Sequence, residues 1–274
     1  MALLTVLPGQ QTVDPQVDVV LLPHAGALVS TYIPWADPLK AAFRRRGVHR
    51  LGLSTAVLPG HLSSTEKAPS HVSATHSLER YGERLAKELK ARENPDRPLM
   101  IFGHSMGALL AVETVRNLSR YGVETTATVL SGSAAPVKQK RFARKPIYTR
   151  GSASELRGLS DEATLETLKK IGGISQELAA QPELAKPFLP QIRADFDLVD
   201  AYRFEPPTRF STQRLVTLSG SDDHRASEYT MRGWHELLGV PGQHHEFTGD
   251  HFFHQQHIPE IADVLAGFMT KSAK

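Results

Sequence analysis

The sequence predicts an α/β fold with a mostly parallel central sheet flanked by helices. Three observations predict it. Short apolar, β-branched runs alternate with longer stretches of helical period. Each run ends near Gly, Pro, Ser or His, the residues of loops and turns. One interval between runs is far too long for a simple crossover and is itself of helical pattern. The runs are 17–22 (VDVVLL), 49–57 (HRLGLSTAV), 98–103 (PLMIFG), 126–131 (TATVLS) and 214–219 (RLVTLS), with a weaker one near 243–248.

Between them, Leu78, Tyr81, Leu85 and Leu89 recur at spacings of three and four, as do Ile258, Ile261, Leu265 and Phe268 near the C-terminus. Both read as helices laid on the sheet. A third begins at about Met106 and carries Leu109, Leu110, Val112 and Val115, apolar enough to be buried; Arg116 to Gly122 supplies a basic last turn and a terminating glycine. The long interval runs from Gly132 to Thr212, about eighty residues where a strand-helix-strand unit needs roughly thirty. Phe188, Leu189, Ile192, Phe196, Val199 and Tyr202 have helical spacing there, and Leu156, Leu159, Leu165, Leu168 and Ile171 suggest another helical stretch. A helical insert above the carboxyl ends of the strands is a lid candidate, because ligands of open α/β folds bind at that edge. The alternative is an extra packing layer. We expect one domain spanning 1–274 with a lid insertion at about 140–205.

Composition narrows the chemistry. Of the 274 residues, 40% are hydrophobic, which suits a globular chain. The formal charge is only +3, with 32 Lys and Arg against 29 Asp and Glu, so nucleic acid is not implied. Cysteine is absent, which removes disulfides, thiolate metal sites and thiol nucleophiles, and fits a reducing compartment. The opening MALLTVLPGQQTVDPQ has no basic segment and a short apolar run, so no leader is expected, and no stretch approaches the length of a membrane span. A soluble cytoplasmic protein without cofactor is expected.

Gly103-His104-Ser105-Met106-Gly107 follows an apolar strand and opens a helix. A sharp, strained turn exposes a serine hydroxyl above the sheet only where flanking side chains are missing, so this is a nucleophile elbow, and it specifies the α/β-hydrolase fold. A serine hydroxyl needs a base, and the base needs a carboxylate to hold its tautomer; chain order in this fold is serine, acid, histidine. Run 214–219 leads into Gly220-Ser221-Asp222-Asp223-His224, which makes Asp223 the candidate acid and Asp222 the alternative. Order leaves His224, His235, His244, His245, His251, His254 and His257 as candidate bases. His251 follows Gly249-Asp250 in a loop before the final helix, from which an imidazole can reach the sheet edge. Two backbone N–H groups should hold the oxyanion: Met106 at the elbow helix, and Ala25 in Pro23-His24-Ala25-Gly26 after the first long run. The spacing of His251, His254 and His257, with His244 and His245 nearby, brings a metal to mind, but there is no accompanying carboxylate pattern and no metal is expected.

Four blocks resemble the type II thioesterases that accompany polyketide synthases and nonribosomal peptide synthetases: LLPHAGALVSTYIPWADPL, FGHSMGALLA, LPQIRADFDLVDAYRF, and LSGSDDHRAS with FTGDHFFHQQ. They occur in the right order over nearly the whole chain. The resemblance implies a triad of Ser105, Asp223 and His251, an oxyanion hole of Ala25 and Met106, a lid at 140–205, and hydrolysis of acyl groups from the phosphopantetheine arm of an acyl or peptidyl carrier protein. Two departures stand out. Ala27 replaces a glycine usual after the His-Ala-Gly motif, narrowing the oxyanion loop. Leu58-Pro59-Gly60-His61 stands where the family has Pro-Gly-Arg, removing a cation near the active-site mouth. The basic run Lys138, Lys140, Arg141, Arg144, Lys145 and Arg150 suits an acidic carrier or the pantetheine phosphate, and equally a solvated lid loop. An acyltransferase or cyclase, a carboxylesterase, and a non-catalytic binding module remain as alternatives.

Overall fold

Seven strands form one sheet in the order β1-β3-β2-β4-β5-β6-β7 in a computed structural model of the chain. It describes residues 2–61, 73, 75–92, 94, 96–136, 156, 158–170, 174, 178 and 180–269. The strands are β1 (Leu4–Val6), β2 (Val17–Leu22), β3 (Leu51–Ala56), β4 (Leu99–His104), β5 (Ala127–Ser131), β6 (Leu215–Gly220) and β7 (Gly242–Phe247). All neighbours pair in parallel except β1, which runs antiparallel to β3 at the edge. Six of the seven coincide with the expected runs to within two residues. The three-residue β1 was not anticipated, being too short to show a period.

Strands β2, β4, β5 and β6 are buried along their whole length, as a parallel sheet covered on both faces requires. On one face lie α2 (Leu78–Lys90), α3 (Met106–Arg120) and, later in the chain, a helix at Glu228–Leu238; Leu85, Leu109, Val112 and Trp234 belong to the core on that side. On the other lie α1 (Ala36–Arg44) and the C-terminal helix Ile258–Ala266, with Trp35, Leu39, Phe43, Ile261 and Leu265 in the second core. Helix α2 is amphipathic, is capped by Ser77, whose side chain accepts the Arg80 N–H, and ends in Lys87 and Lys90, which suit the negative end of the helix dipole.

Within the long interval, α4 (Asp161–Lys170) and α5 (Leu189–Ala201) are described. Leu156, Leu165, Leu168, Leu189, Ile192 and Phe196 make a small third core of their own. Ile171 and the whole basic run from Lys138 to Arg150 lie outside the described residues. Apart from two single-turn helices at Pro182–Ala185 and Phe253–Gln256, the later helices are α6 (Glu228–Leu238) and α7 (Ile258–Ala266). No helix among the described residues is long and apolar enough to cross a membrane.

The topology already says where a ligand goes. From β2 the chain crosses to β3 on one side and then to β4 on the other, so the loops leaving the carboxyl ends of β2 and β4 diverge and open a crevice. Those two loops are His24–Ala27 and the elbow at Ser105.

Candidate active site

Ser105 sits between β4 and α3 with φ 54° and ψ −117°, a positive φ that a residue with a side chain adopts only under constraint. Its N–H donates to Ser131 O at 2.8 Å, tying the elbow to the end of β5. Both flanking glycines are sterically required. A Cβ on Gly103 would stand 2.0 Å from Gly107 O, and one on Gly107 would stand 2.2 Å from Leu22 O and 2.9 Å from Pro23 O. The second contact also shows that the loop after β2 lies directly against the start of α3.

The loops after β6 and β7 meet just as closely. A Cβ on Gly220 would fall 2.5 Å from Gly249 O and 2.6 Å from Asp250 O, and the Asp222 N–H donates to Gly249 O at 2.9 Å. This apposition delivers Asp223 to His251. The His251 Nδ1–H donates to Asp223 Oδ2 at 2.8 Å, and Nε2, left as the acceptor of the neutral ring, lies 3.1 Å from Ser105 Oγ. Asp223 and His251 are buried. Burial pushes the Asp223 carboxyl up, but the neighbouring His251 together with the Arg225 and Ala226 N–H groups outweighs it and leaves the acid below its ordinary range. Asp222 is exposed and takes its hydrogen bond from Ser221 Oγ, so of the two aspartates only Asp223 meets the imidazole.

Four of the other candidate histidines are held elsewhere by packing or hydrogen bonds. His254 is fully buried and stacks on His104 with ring centroids 3.7 Å apart; His104 Nδ1 pairs with Ser131 Oγ. Burial holds both rings well below the ordinary histidine range. His244 bonds Thr217 and Ser219, His235 bonds Thr217, and His257 bonds Thr248.

Met106 is the first residue of α3, where N–H groups have no intrahelical acceptor. On the opposite lip, the Ala25–Gly26 peptide is held at both ends: Ala25 O accepts the His24 Nδ1–H at 3.0 Å, and the Gly26 N–H donates to Asp195 Oδ2 at 2.8 Å. Burial is the main reason that the His24 imidazole is pulled down to about 4, with the bond to Ala25 O opposing it. Gly26 has φ +78°, and a Cβ there would stand 2.5 Å from Ile192 Cγ1. The N–H of Ala27 closes the turn on His24 O, and its carbonyl accepts from Gln191 Nε2. His61 is not a group at an open mouth: it is buried, and its Nε2–H donates to the second oxygen of Asp195 at 3.0 Å. Asp195, Gln191 and His61 were not foreseen as site residues. A signal for Asp195 does exist, since it falls on the apolar stripe of α5, three residues after Ile192 and one before Phe196, where a solvated carboxylate has no place.

An apolar cavity of about 170 Å³ adjoins this loop, lined by His24, Ala25, Leu28, Phe188, Ile192 and Phe252.

Comparison with known proteins gives a consistent set of likenesses. The family model described as a thioesterase domain matches residues 18–268. Thioesterase TesA of Mycobacterium marinum is 27% identical over 250 residues, covering 90% of this chain and 89% of that protein. Among solved structures, the type II thioesterase BorB from the borrelidin biosynthetic cluster superposes with a TM-score of 0.77 at 25% identity, covering 98% of each chain. YbtT, a type II thioesterase from the yersiniabactin NRPS/PKS biosynthetic pathway, gives 0.71 at 26% identity with the same coverage.

Proposed function

The chain belongs to the thioesterase family, and from that premise we propose that Ser105, His251 and Asp223 form its catalytic triad and that it releases acyl groups from phosphopantetheine arms of carrier proteins. It is a hydrolase of thioester bonds on an α/β-hydrolase fold. Its setting in this reading is polyketide or nonribosomal peptide biosynthesis, in editing or chain release, as BorB and YbtT suggest. The partner is an acyl or peptidyl carrier protein. The cysteine-free composition fits a reducing compartment, and the cytoplasm is proposed on that ground.

The observation that carries the reading is the continuous hydrogen-bonded line from Ser105 Oγ through His251 to Asp223. Ser105 Oγ attacks the thioester carbonyl as His251 Nε2 takes its proton. The tetrahedral oxyanion is held by the N–H groups of Ala25 and Met106. The C–S bond then breaks, His251 hands the proton to the leaving thiol, and an acyl-Ser105 ester remains. Water, deprotonated by His251, adds to that ester; the Ser105 oxygen leaves with the proton, and a free acid departs. Asp223, ionised at neutral pH, keeps the imidazole in the required tautomer and stabilises its protonated form. The apolar cavity beside Ala25 suits the acyl chain, and the 140–205 segment acts as a lid over it within a single domain spanning 1–274.

The test is hydrolysis of an acyl-pantetheine thioester by the wild type and Ser105→Ala. A loss of about 10⁴–10⁶ in kcat is expected; turnover by the variant near that of the wild type would refute the assignment. Mass spectrometry of the products separates hydrolysis, which leaves a free acid, from acyl transfer or cyclisation.

A further inference from the structure

We propose that Asp195, carried by α5 of the insert, is a positioning residue for the oxyanion hole, and that the lid therefore completes the active site as well as covering it. The proposal rests on the reading of Ala25 and Met106 as the oxyanion donors.

Three observations lead to it. First, Asp195 is only 2% exposed, and each carboxylate oxygen has a defined partner: Oδ2 accepts the Gly26 N–H at 2.8 Å, and Oδ1 accepts the His61 Nε2–H at 3.0 Å. A carboxylate is costly to bury, and one held by two such partners is fixed in direction. Second, the peptide it grips is the one immediately after the proposed donor. With Ala25 O held by His24 and the Gly26 N–H held by Asp195, the Ala25–Gly26 peptide plane is pinned at both ends. The Ala25 N–H lies in the preceding peptide, whose own His24 carbonyl accepts the Ala27 N–H at 3.0 Å, so the donor is aimed by a turn whose central peptide Asp195 holds. Third, Gln191 Nε2 on the same helix binds Ala27 O at 3.1 Å, and Ile192 packs on Gly26. One face of α5 thus holds the loop at Gly26 and again at Ala27.

The consequence is mechanistic. An oxyanion donor misplaced by less than an ångström loses much of its value, because the hole acts through preorganisation. Displacement of α5 would remove the acceptor that aims the loop, so the hole would be assembled only with the insert in place. His61 gives Asp195 a second partner from the loop after β3, anchoring the carboxylate to the sheet rather than to the insert alone.

The experiment compares Asp195→Ala and Asp195→Asn with the wild type on hexanoyl-N-acetylcysteamine. It is paired with binding of a hexyl trifluoromethyl ketone, whose adduct with Ser105 places a charged oxygen in the hole, and of the unreactive hexyl thioether. Asn keeps an acceptor for the Gly26 N–H, whereas Ala keeps none. Asp195→Ala should lower kcat about 10²–10³-fold with KM changed less than threefold, and should weaken the ketone by a similar factor while leaving the thioether unaffected. Asp195→Asn should stay within about tenfold of the wild type. Wild-type kcat in Asp195→Ala, equal losses in both variants, or a loss confined to KM and shared by the thioether would each overturn the proposal. If Asp195→Ala does not fold, amide exchange at Gly26 of the wild type decides: protection supports the grip, and exchange at the rate of an open loop overturns it. The serine assignment is judged separately by Ser105→Ala, so its failure is distinguishable from that of Asp195.

Discussion

The two lips of the site are built differently. At the elbow, the glycines are jammed against backbone: Gly103 against the Gly107 carbonyl and Gly107 against the Leu22 carbonyl. At the loop after β2, Gly26 is jammed against a side chain, Ile192 of α5. Backbone set in a parallel sheet and its packed helix cannot give way, whereas a side chain on an insert can. The comparison teaches that Ser105 is fixed by the sheet and its packed helix, while the His24–Ala27 loop takes its final shape from a segment some 170 residues further along the chain.

The sharpest way to break the comparison is at the proposed triad, where rigidity predicts the largest effects. Asp223→Asn should lower kcat about 10⁴-fold, because an amide presents the wrong hydrogen-bonding pattern to His251 Nδ1. Asp222→Asn should leave it unchanged, since Asp222 faces solvent. Steady-state kinetics of the two variants checks this, and equal activities would show the acid to be misassigned.

The glycines test rigidity directly. Gly107→Ala should yield no folded, active enzyme, because its methyl has only backbone to displace. Gly26→Ala should fold and lose about 10–10² in kcat, combining the cost of an alanine at positive φ with displacement of α5. Adding Ile192→Ala to Gly26→Ala should recover part of that loss. No recovery would mean that the backbone torsion accounts for the whole effect and that α5 does not press on the loop.

This difference also explains what was legible in the sequence. Elements whose pattern is local could be read: VDVVLL and PLMIFG as buried strands, the elbow from its two glycines, and His251 from its loop before the final helix. The rule that acids follow the carboxyl end of a strand led to Asp222 and Asp223, and the hydrogen bond to His251 separates the two. What could not be read depends on apposition across long separations. Asp195 meets Gly26 at a separation of 169 residues and His61 at 134, and no period or spacing encodes such a pairing. Its one local trace is a carboxylate on an apolar helical stripe. His61 carried no trace, since the change from arginine suggested only a lost cation, when the imidazole is an inward-facing partner of Asp195. Strand β1 was missed for a simpler reason, its length of three residues.

The insert has a second attachment, which sharpens the comparison by separating stability from catalysis. At the end of α5, Tyr202 OH donates to Glu113 Oε1 at 2.6 Å, in a buried group that includes Arg116 at 3.3 Å. Burial pushes the Glu113 carboxyl up, with Arg116 and the tyrosine opposing it. Tyr202→Phe removes a hydrogen bond to this buried acid and should cost about 1.5–3 kcal/mol, lowering Tm by several degrees. Because this contact grips α3 and not the oxyanion loop, kcat should change less than threefold. A large kcat loss at unchanged Tm would mean that the two attachments act as one.

The smallest effect of a substitution is expected among the buried histidines around the site. His24 titrates at about 4 in the folded protein against about 6.5 when unfolded, and His104 and His254 move in the same direction. The unfolded chain therefore binds more protons between pH 6.5 and 4, so stability should fall as pH drops through that window, by roughly 3 kcal/mol at most from His24. Asp223 does not contribute to this decline. Its folded pKa is depressed, so its stabilisation persists until pH falls below the ordinary aspartate range. His254 offers the cleanest dissection, because neither of its ring nitrogens has a protein partner among the described residues and its ring stacks on His104. Replacing it by phenylalanine keeps the stack without burying polar nitrogens, so Tm at pH 7.5 should hold or rise slightly, and the drop in Tm between pH 7 and 4.5 should shrink. An unchanged slope would show that the acid sensitivity resides in His24, in the loop after β2, and in His104, at the end of β4, and not in His254.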